Sequence, residues 1–77
     1  MSKPKIDAVE CVLCEDGRSV MIEAFNGDHS LGMWSFDLGS TRPDFDEHKA
    51  ASAAFRFMQK AHGQKWRDHL AAWLRSH

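Results

Sequence analysis

The sequence predicts an α+β fold, in which a three-stranded antiparallel sheet is followed by two helices, one of them packed on the sheet. In the first half, apolar and polar side chains alternate with the two-residue period of strands. In the second half, apolar side chains recur at the spacing of three and four residues that is typical of helices. With 77 residues, the chain has room for a single domain over 1–77, with its sheet over 6–38.

The sheet is predicted to begin with a hairpin. Two β-compatible runs, 8–14 and 19–25, flank an Asp-Gly dipeptide, which is a strong hairpin signal. A two-residue turn would place Glu10 opposite Glu23, and like charges facing each other across a sheet are unfavourable. We therefore predict a three-residue loop with Gly17 in the left-handed conformation, because that loop avoids the pairing.

A third strand is predicted over 33–38, after a flexible loop over 26–32 that contains two glycines. Every second side chain of this strand is apolar and is predicted to be buried: Trp34, Phe36 and Leu38. The opposite face of the sheet is semi-apolar and is a candidate contact surface, with Val12, Cys14, Met21 and Met33.

Two helices follow the sheet. The first is predicted over 44–62, with Asp44 as N-cap, Glu47 completing a capping box and His62-Gly63 as C-cap. Its apolar stripe is Ala50, Ala51, Ala54, Phe55, Met58 and Ala61. The second helix, 64–75, has an apolar stripe that either completes the core or forms a dimer interface: Trp66, Leu70, Trp73 and Leu74.

Charge is divided unevenly along the chain, although the formal net charge is only −1. Residues 1–48 carry ten acidic and four basic side chains, whereas residues 49–77 carry one acidic and six basic side chains. Such a division can orient the molecule towards a charged partner. No apolar run approaches the roughly 20 residues of a membrane span, and residues 1–5 form a short polar arm, predicted to be flexible. We therefore expect a cytoplasmic protein without membrane contact.

Cys11 and Cys14 are the weak candidates for metal ligands, because they have the two-residue spacing of a zinc knuckle. A second ligand pair is missing, and on a regular strand these two cysteines point to opposite faces. The acidic residues around Asp44 are explained by a helix start. The sequence therefore predicts no metal, no cofactor and no catalytic residues.

Two surfaces are candidates for binding. The first is an acidic face that would meet a basic surface on a protein or a protein–nucleic-acid complex, with Met33 and Trp34 as apolar anchors. Its acidic members are Glu10, Glu15, Asp16, Glu23, Asp28 and Asp37. The alternative is direct binding of nucleic acid by a basic C-terminal face, whose affinity would fall steeply with salt. Its members are Lys60, Lys65, Arg67 and Arg75.

In size, charge division and α+β organisation, the whole chain resembles small phage-encoded inhibitors of bacterial defence such as anti-CRISPR proteins, as a class and without a shared motif. The resemblance implies a protein that acts without catalysis, by covering a nucleic-acid-binding or assembly surface on its target. It also implies that the acidic segment imitates a nucleic-acid backbone.

Overall fold

A computed structural model describes residues 5–60 and 65–77 and shows the predicted α+β class, a three-stranded antiparallel sheet followed by two helices. The elements in chain order are β1 (Ala8–Leu13), β2 (Ser19–Asn26), β3 (His29–Asp37), α1 (Glu47–Lys60) and α2 (Lys65–Ser76). The strands lie side by side in the order β1-β2-β3. Most of the predicted N-terminal arm, the predicted C-cap His62-Gly63 and Ala61 lie outside the described residues. No helix within the described ranges is long and apolar enough to cross a membrane.

The first hairpin has the predicted left-handed Gly17, with φ of +71°, but not the predicted register. The loop has four residues, and Glu10 pairs directly with Glu23, so the prediction that this pairing is avoided is wrong. The reason lies on the other face of the sheet. The observed register pairs Cys11 with Ile22, whereas a shift of one residue would pair Cys11 with Glu23 and place apolar and charged side chains on the same face.

The second hairpin replaces the predicted loop over 26–32. Asn26 pairs with His29 across a two-residue turn, so β3 begins four residues earlier than predicted. Gly27, the first turn residue, has φ of +58°, a conformation that suits glycine at this position. The pairing of β2 with β3 shifts register next to Gly32. A Cβ on Gly32 would lie 2.7 Å from ring carbons of Trp34, so the glycine leaves room for this indole.

Helix α1 begins at Glu47 rather than at residue 44. The N-cap is Asp46, whose Oδ1 accepts a hydrogen bond of 3.1 Å from the backbone N–H of Lys49. The predicted capping box of Asp44 and Glu47 is therefore wrong. The carboxylate of Glu47 instead accepts a hydrogen bond of 2.6 Å from the backbone N–H of Leu13, which fixes the start of α1 to the edge of β1.

The core lies between the inner face of the sheet and the two helices. Three small side chains of α1 are buried and allow close approach to β1 and β2: Ala50, Ala53 and Ala54. Ala53 was absent from the predicted stripe, and Ala51 and Phe55 are only partly buried. On α2, Trp66, Leu70 and Leu74 are buried in the core of this same chain, so most of the predicted stripe is core. Only Trp73 of that stripe remains partly exposed.

Two further contacts fix α2 in place. The indole of Trp66 meets that of Trp34 edge-on at 4.9 Å and lies 6.2 Å from the ring of Phe36, which joins α2 to β3. At the other end of α2, the guanidinium of Arg42 donates hydrogen bonds of 2.7 and 3.0 Å to the carbonyls of Leu74 and Arg75. This arginine satisfies carbonyls that a helix end leaves unpaired.

Candidate functional site

The sheet has one face that neither helix covers. We call it the open sheet face and define it by two neighbouring rows of side chains that cross the strands: Glu10, Glu23 and Met33, then Val12, Met21 and Ser35. The side chains that point the other way from β2 are buried, whereas Val12 and Met33 are each 55% exposed. These two are large apolar side chains in contact with solvent on one continuous surface.

Two carboxylates lie side by side on the open sheet face, one on β1 and one on β2. Glu10 and Glu23 are directly opposite each other, and side chains in this relation have Cβ atoms about 4.5 to 5.5 Å apart. Neither forms an ion pair with a lysine or arginine among the described residues. Glu23 accepts a hydrogen bond of 2.8 Å from the hydroxyl of Ser30. The face therefore combines an uncompensated pair of negative charges with exposed apolar side chains.

The other predicted acidic residues are distributed over the two ends of the sheet. Asp28 lies in the turn between β2 and β3, whereas Glu15 and Asp16 lie at the opposite end, in the loop between β1 and β2. Asp37 is near that loop and is 3.7 Å from the guanidinium of Arg18. Only Glu10, Glu23 and Met33 of the predicted set share a row.

Two members of the predicted acidic face have structural roles. The carboxylate of Asp16 accepts hydrogen bonds from the backbone N–H groups of Arg18 and Ser19 and from the hydroxyl of Ser19, and these bonds lower its pKa. Trp34 points away from Met33, because neighbouring residues of a strand face opposite sides, and it packs against Trp66. Trp34 is therefore not an anchor of the open sheet face.

The predicted basic residues are exposed but do not converge. Lys60 ends α1, and Lys65 and Arg67 lie in the first turn of α2. Two residues of a helix that are two positions apart point about 160° away from each other, so Lys65 and Arg67 lie on different sides of α2. Arg75 is about 12 Å further along the helix axis than Arg67. The three charges of α2 therefore do not lie on one stripe of the helix.

The two tryptophans of α2 both contact other aromatic side chains of the same chain. Trp66 is only 8% exposed and contacts the aromatic side chains of β3. Trp73 stacks on the ring of His77 with centroids 4.4 Å apart and planes 9° from parallel. A base-stacking platform formed by these two indoles is not present on the described surface.

Cys11 and Cys14 do not form a metal centre with the described side chains. Cys11 is buried on the inner face of β1, and Cys14 is partly buried just after the strand. Across 5–60 and 65–77, no group of three or more histidine, cysteine, aspartate or glutamate side chains is placed to hold a metal ion. Burial, then the charges of Glu47 and Cys14, raise the pKa of Cys11 to about 12. Its thiol is therefore protonated at neutral pH and is a poor nucleophile.

A cleft of about 480 Å³ lies between the segment before α1 and the end of α2. Phe45 and Trp73 provide its aromatic walls, together with His77. Its polar groups are partly committed elsewhere, because Arg42 binds the carbonyls of α2 and Asp46 caps α1. No motif in the sequence indicates this cleft, since it forms between segments about 30 residues apart.

No family model matches this sequence, and no curated protein or solved structure is significantly similar to it. The arguments about function therefore depend on the open sheet face and on the residues around it.

Proposed function

We propose that this chain is a cytoplasmic, non-enzymatic binding protein that occupies a surface on a macromolecular partner through its open sheet face. The observation that carries the proposal is the direct pairing of Glu10 with Glu23 on an exposed, partly apolar face. In protein interfaces a few strongly interacting groups commonly provide most of the binding energy, and the contacts around them exclude water.

The charge of this pair supports a basic partner. In the free chain the two carboxylates repel each other, and like charges directly opposite in a sheet are destabilising. A lysine or arginine side chain placed between Glu10 and Glu23 would replace this repulsion with charge-assisted hydrogen bonds. Arginine suits the position best, because its planar guanidinium binds two carboxylate oxygens at once. Val12 and Met33 would contact the aliphatic part of that side chain and the surface around it.

A surface that binds nucleic acid has the required chemistry, since such surfaces concentrate lysine and arginine. The proposal therefore takes as target a nucleic-acid-binding protein or complex, which the chain would inhibit by covering that surface. The excess of negative charge in residues 1–48 would favour approach to such a target. This is the mode of action that the resemblance to anti-CRISPR proteins implies.

The test is a capture experiment with matched variants. The full chain serves as bait for proteins of its native host, beside a Glu10→Gln/Glu23→Gln variant and a control variant, Glu15→Gln/Asp28→Gln. Both variants remove two negative charges, but only the first changes the open sheet face, because Glu15 and Asp28 lie at opposite ends of the sheet. A captured protein supports the proposal if the first variant loses it and the control retains it.

Two results would contradict the proposal. One is a partner captured equally by all three proteins. The other is tight, strongly salt-dependent binding of DNA or RNA by the isolated chain that is lost in Lys65→Gln/Arg67→Gln, which would establish the alternative of direct nucleic-acid binding.

A further inference from the structure

The outer edge of β3 has main-chain groups that bond to no other described residue. Leu38, just after β3, donates its backbone N–H to the carbonyl of Arg18 at 2.7 Å. In an antiparallel strand the main-chain N–H and C=O groups of successive residues point to alternate sides. Those of Trp34 and Phe36 therefore point towards β2. The main-chain groups of Met33 and Ser35 point away from the sheet, and no described residue outside the sheet ladder forms a hydrogen bond with them.

The other edge of the sheet is covered in part, at Leu13 and along α1. On β1 the outward N–H of Leu13 is bonded to the carboxylate of Glu47, and α1 packs along this strand. Proteins often protect exposed edges with lysine, proline or a bulge. β3 has neither lysine nor proline, and its register irregularity lies near Gly32, which leaves residues 33–37 regular.

The same stretch of β3 has two aromatic side chains on its inner face, and on the open sheet face it has Met33 beside the polar Ser35 and Asp37. Met33 is exposed on the open sheet face, and Trp34 and Phe36 are only partly buried on the inner face. A further strand at this edge would cover part of the exposed aromatic surface of Trp34 and Phe36.

We propose that residues 33–37 pair antiparallel with the same residues of a second copy, centred on Ser35, and so form a continuous six-stranded sheet. This inference goes beyond the proposed function, because it concerns the main-chain edge of β3 and not the Glu10–Glu23 pair, although Met33 and Ser35 also belong to the open sheet face.

Self-complementarity of the stretch favours a second copy as the occupant. Centred on Ser35, the pairing places Trp34 opposite Phe36 of the second copy, and Phe36 opposite its Trp34. These are non-hydrogen-bonded positions, where facing side chains are closest and aromatic pairs stabilise a sheet. Asp37 faces Met33, so no carboxylate opposes another, and the small Ser35 faces itself. One strand thus supplies both halves of a two-fold symmetric interface.

The test measures the mass of the full chain in solution by light scattering after size exclusion. We expect twice the chain mass of 8.8 kDa for the wild type. Ser35→Lys places two lysines against each other on the two-fold axis, and we expect it to reduce the mass to that of one chain. Val12→Lys is the control, because it adds the same charge on the same face, about 10 Å away across two strands. We expect Val12→Lys to remain a dimer.

Amide hydrogen exchange of the wild type gives a second readout that needs no variant. The N–H groups of Met33 and Ser35 should be protected at high protein concentration and lose protection on dilution, whereas those of Trp34 and Phe36 stay protected throughout. A wild type of 8.8 kDa at every concentration would overturn the proposal. So would dissociation by Val12→Lys but not by Ser35→Lys, or fast exchange at Met33 and Ser35 in a dimer.

Discussion

Replacing Glu10 by glutamine should make the free protein more stable. The change removes one of two carboxylates that lie opposite each other on the open sheet face, and it keeps the size of the side chain. Two unit charges as close as the Cβ atoms, about 5.5 Å, would repel each other in water by about 0.8 kcal/mol, which is an upper value for this pair because the Glu23 carboxylate is bonded to Ser30 of β3. Measured effects of cross-strand charge pairs are about 0.2 to 1 kcal/mol. We therefore expect the free energy of unfolding to rise by about 0.5 kcal/mol.

The assay is urea unfolding followed by tryptophan fluorescence, at low salt and again in 1 M NaCl. Because the screening length falls to about 3 Å in 1 M salt, the gain in stability should largely disappear there. Glu15→Gln is the matched control, since it removes the same charge from a loop position. A Glu10→Gln protein that is no more stable than wild type, or that gains no more than Glu15→Gln, would refute the repulsion on which the argument depends.

The same substitution should weaken partner binding. The Glu10 carboxylate would then contribute to binding at the expense of stability, because its removal stabilises the free chain and weakens the complex. This trade-off is common at functional sites. If Glu10→Gln stabilised the protein without any loss of partner affinity, Glu10 would lie outside the interface.

Four other predictions test the architecture. Gly32→Ala brings a Cβ within 2.7 Å of the Trp34 ring, so we expect a loss of about 1 to 3 kcal/mol in urea unfolding, and a wild-type midpoint would contradict this packing. Arg42→Met removes two hydrogen bonds to the end of α2 and should cost about 1 to 2 kcal/mol, with faster amide exchange in the last turn. The buried Cys11 keeps its proton up to a pKa of about 12, whereas an ordinary thiol ionises near 9.0. Stability should therefore fall as pH rises from 9 towards 12, and Cys11→Ala should remove this slope. A thiol reagent should modify Cys14 before Cys11, and equal rates in the native protein would contradict the burial.

The fold could be predicted wherever one periodicity dominates a segment. Alternation in the third strand correctly placed Phe36 and Leu38 on the inner side, and the helical spacing of Trp66, Leu70 and Leu74 correctly predicted one face of α2. These patterns suffice because burial of large apolar side chains contributes more free energy than local preferences do.

Predictions failed where distant contacts decide between local alternatives. Repulsion between Glu10 and Glu23 favours another register, but the inner face requires Cys11 beside Ile22, and burial outweighs a repulsion of less than about 1 kcal/mol. Glu47 matched a capping box locally, yet it binds the edge of β1, which is 34 residues away along the chain.

The candidate site was predictable only in part for the same reason. The acidic residues and the semi-apolar outer face are visible in the sequence, but the row of Glu10, Glu23 and Met33 depends on the register of two strand pairs. The open edge of β3 depends on hydrogen-bond directions, which residue types do not determine.

The most direct test of the open sheet face uses the methionine methyl groups as reporters of partner binding. Met21 and Met33 lie on this face, whereas Met58 lies on α1 and packs against the core. NMR spectra of the full chain, recorded with and without a partner captured as described above, should show shifts at Met21 and Met33 and no change at Met58. Shifts confined to Met58, with Met21 and Met33 unchanged, would place the partner on the helical side and contradict the account.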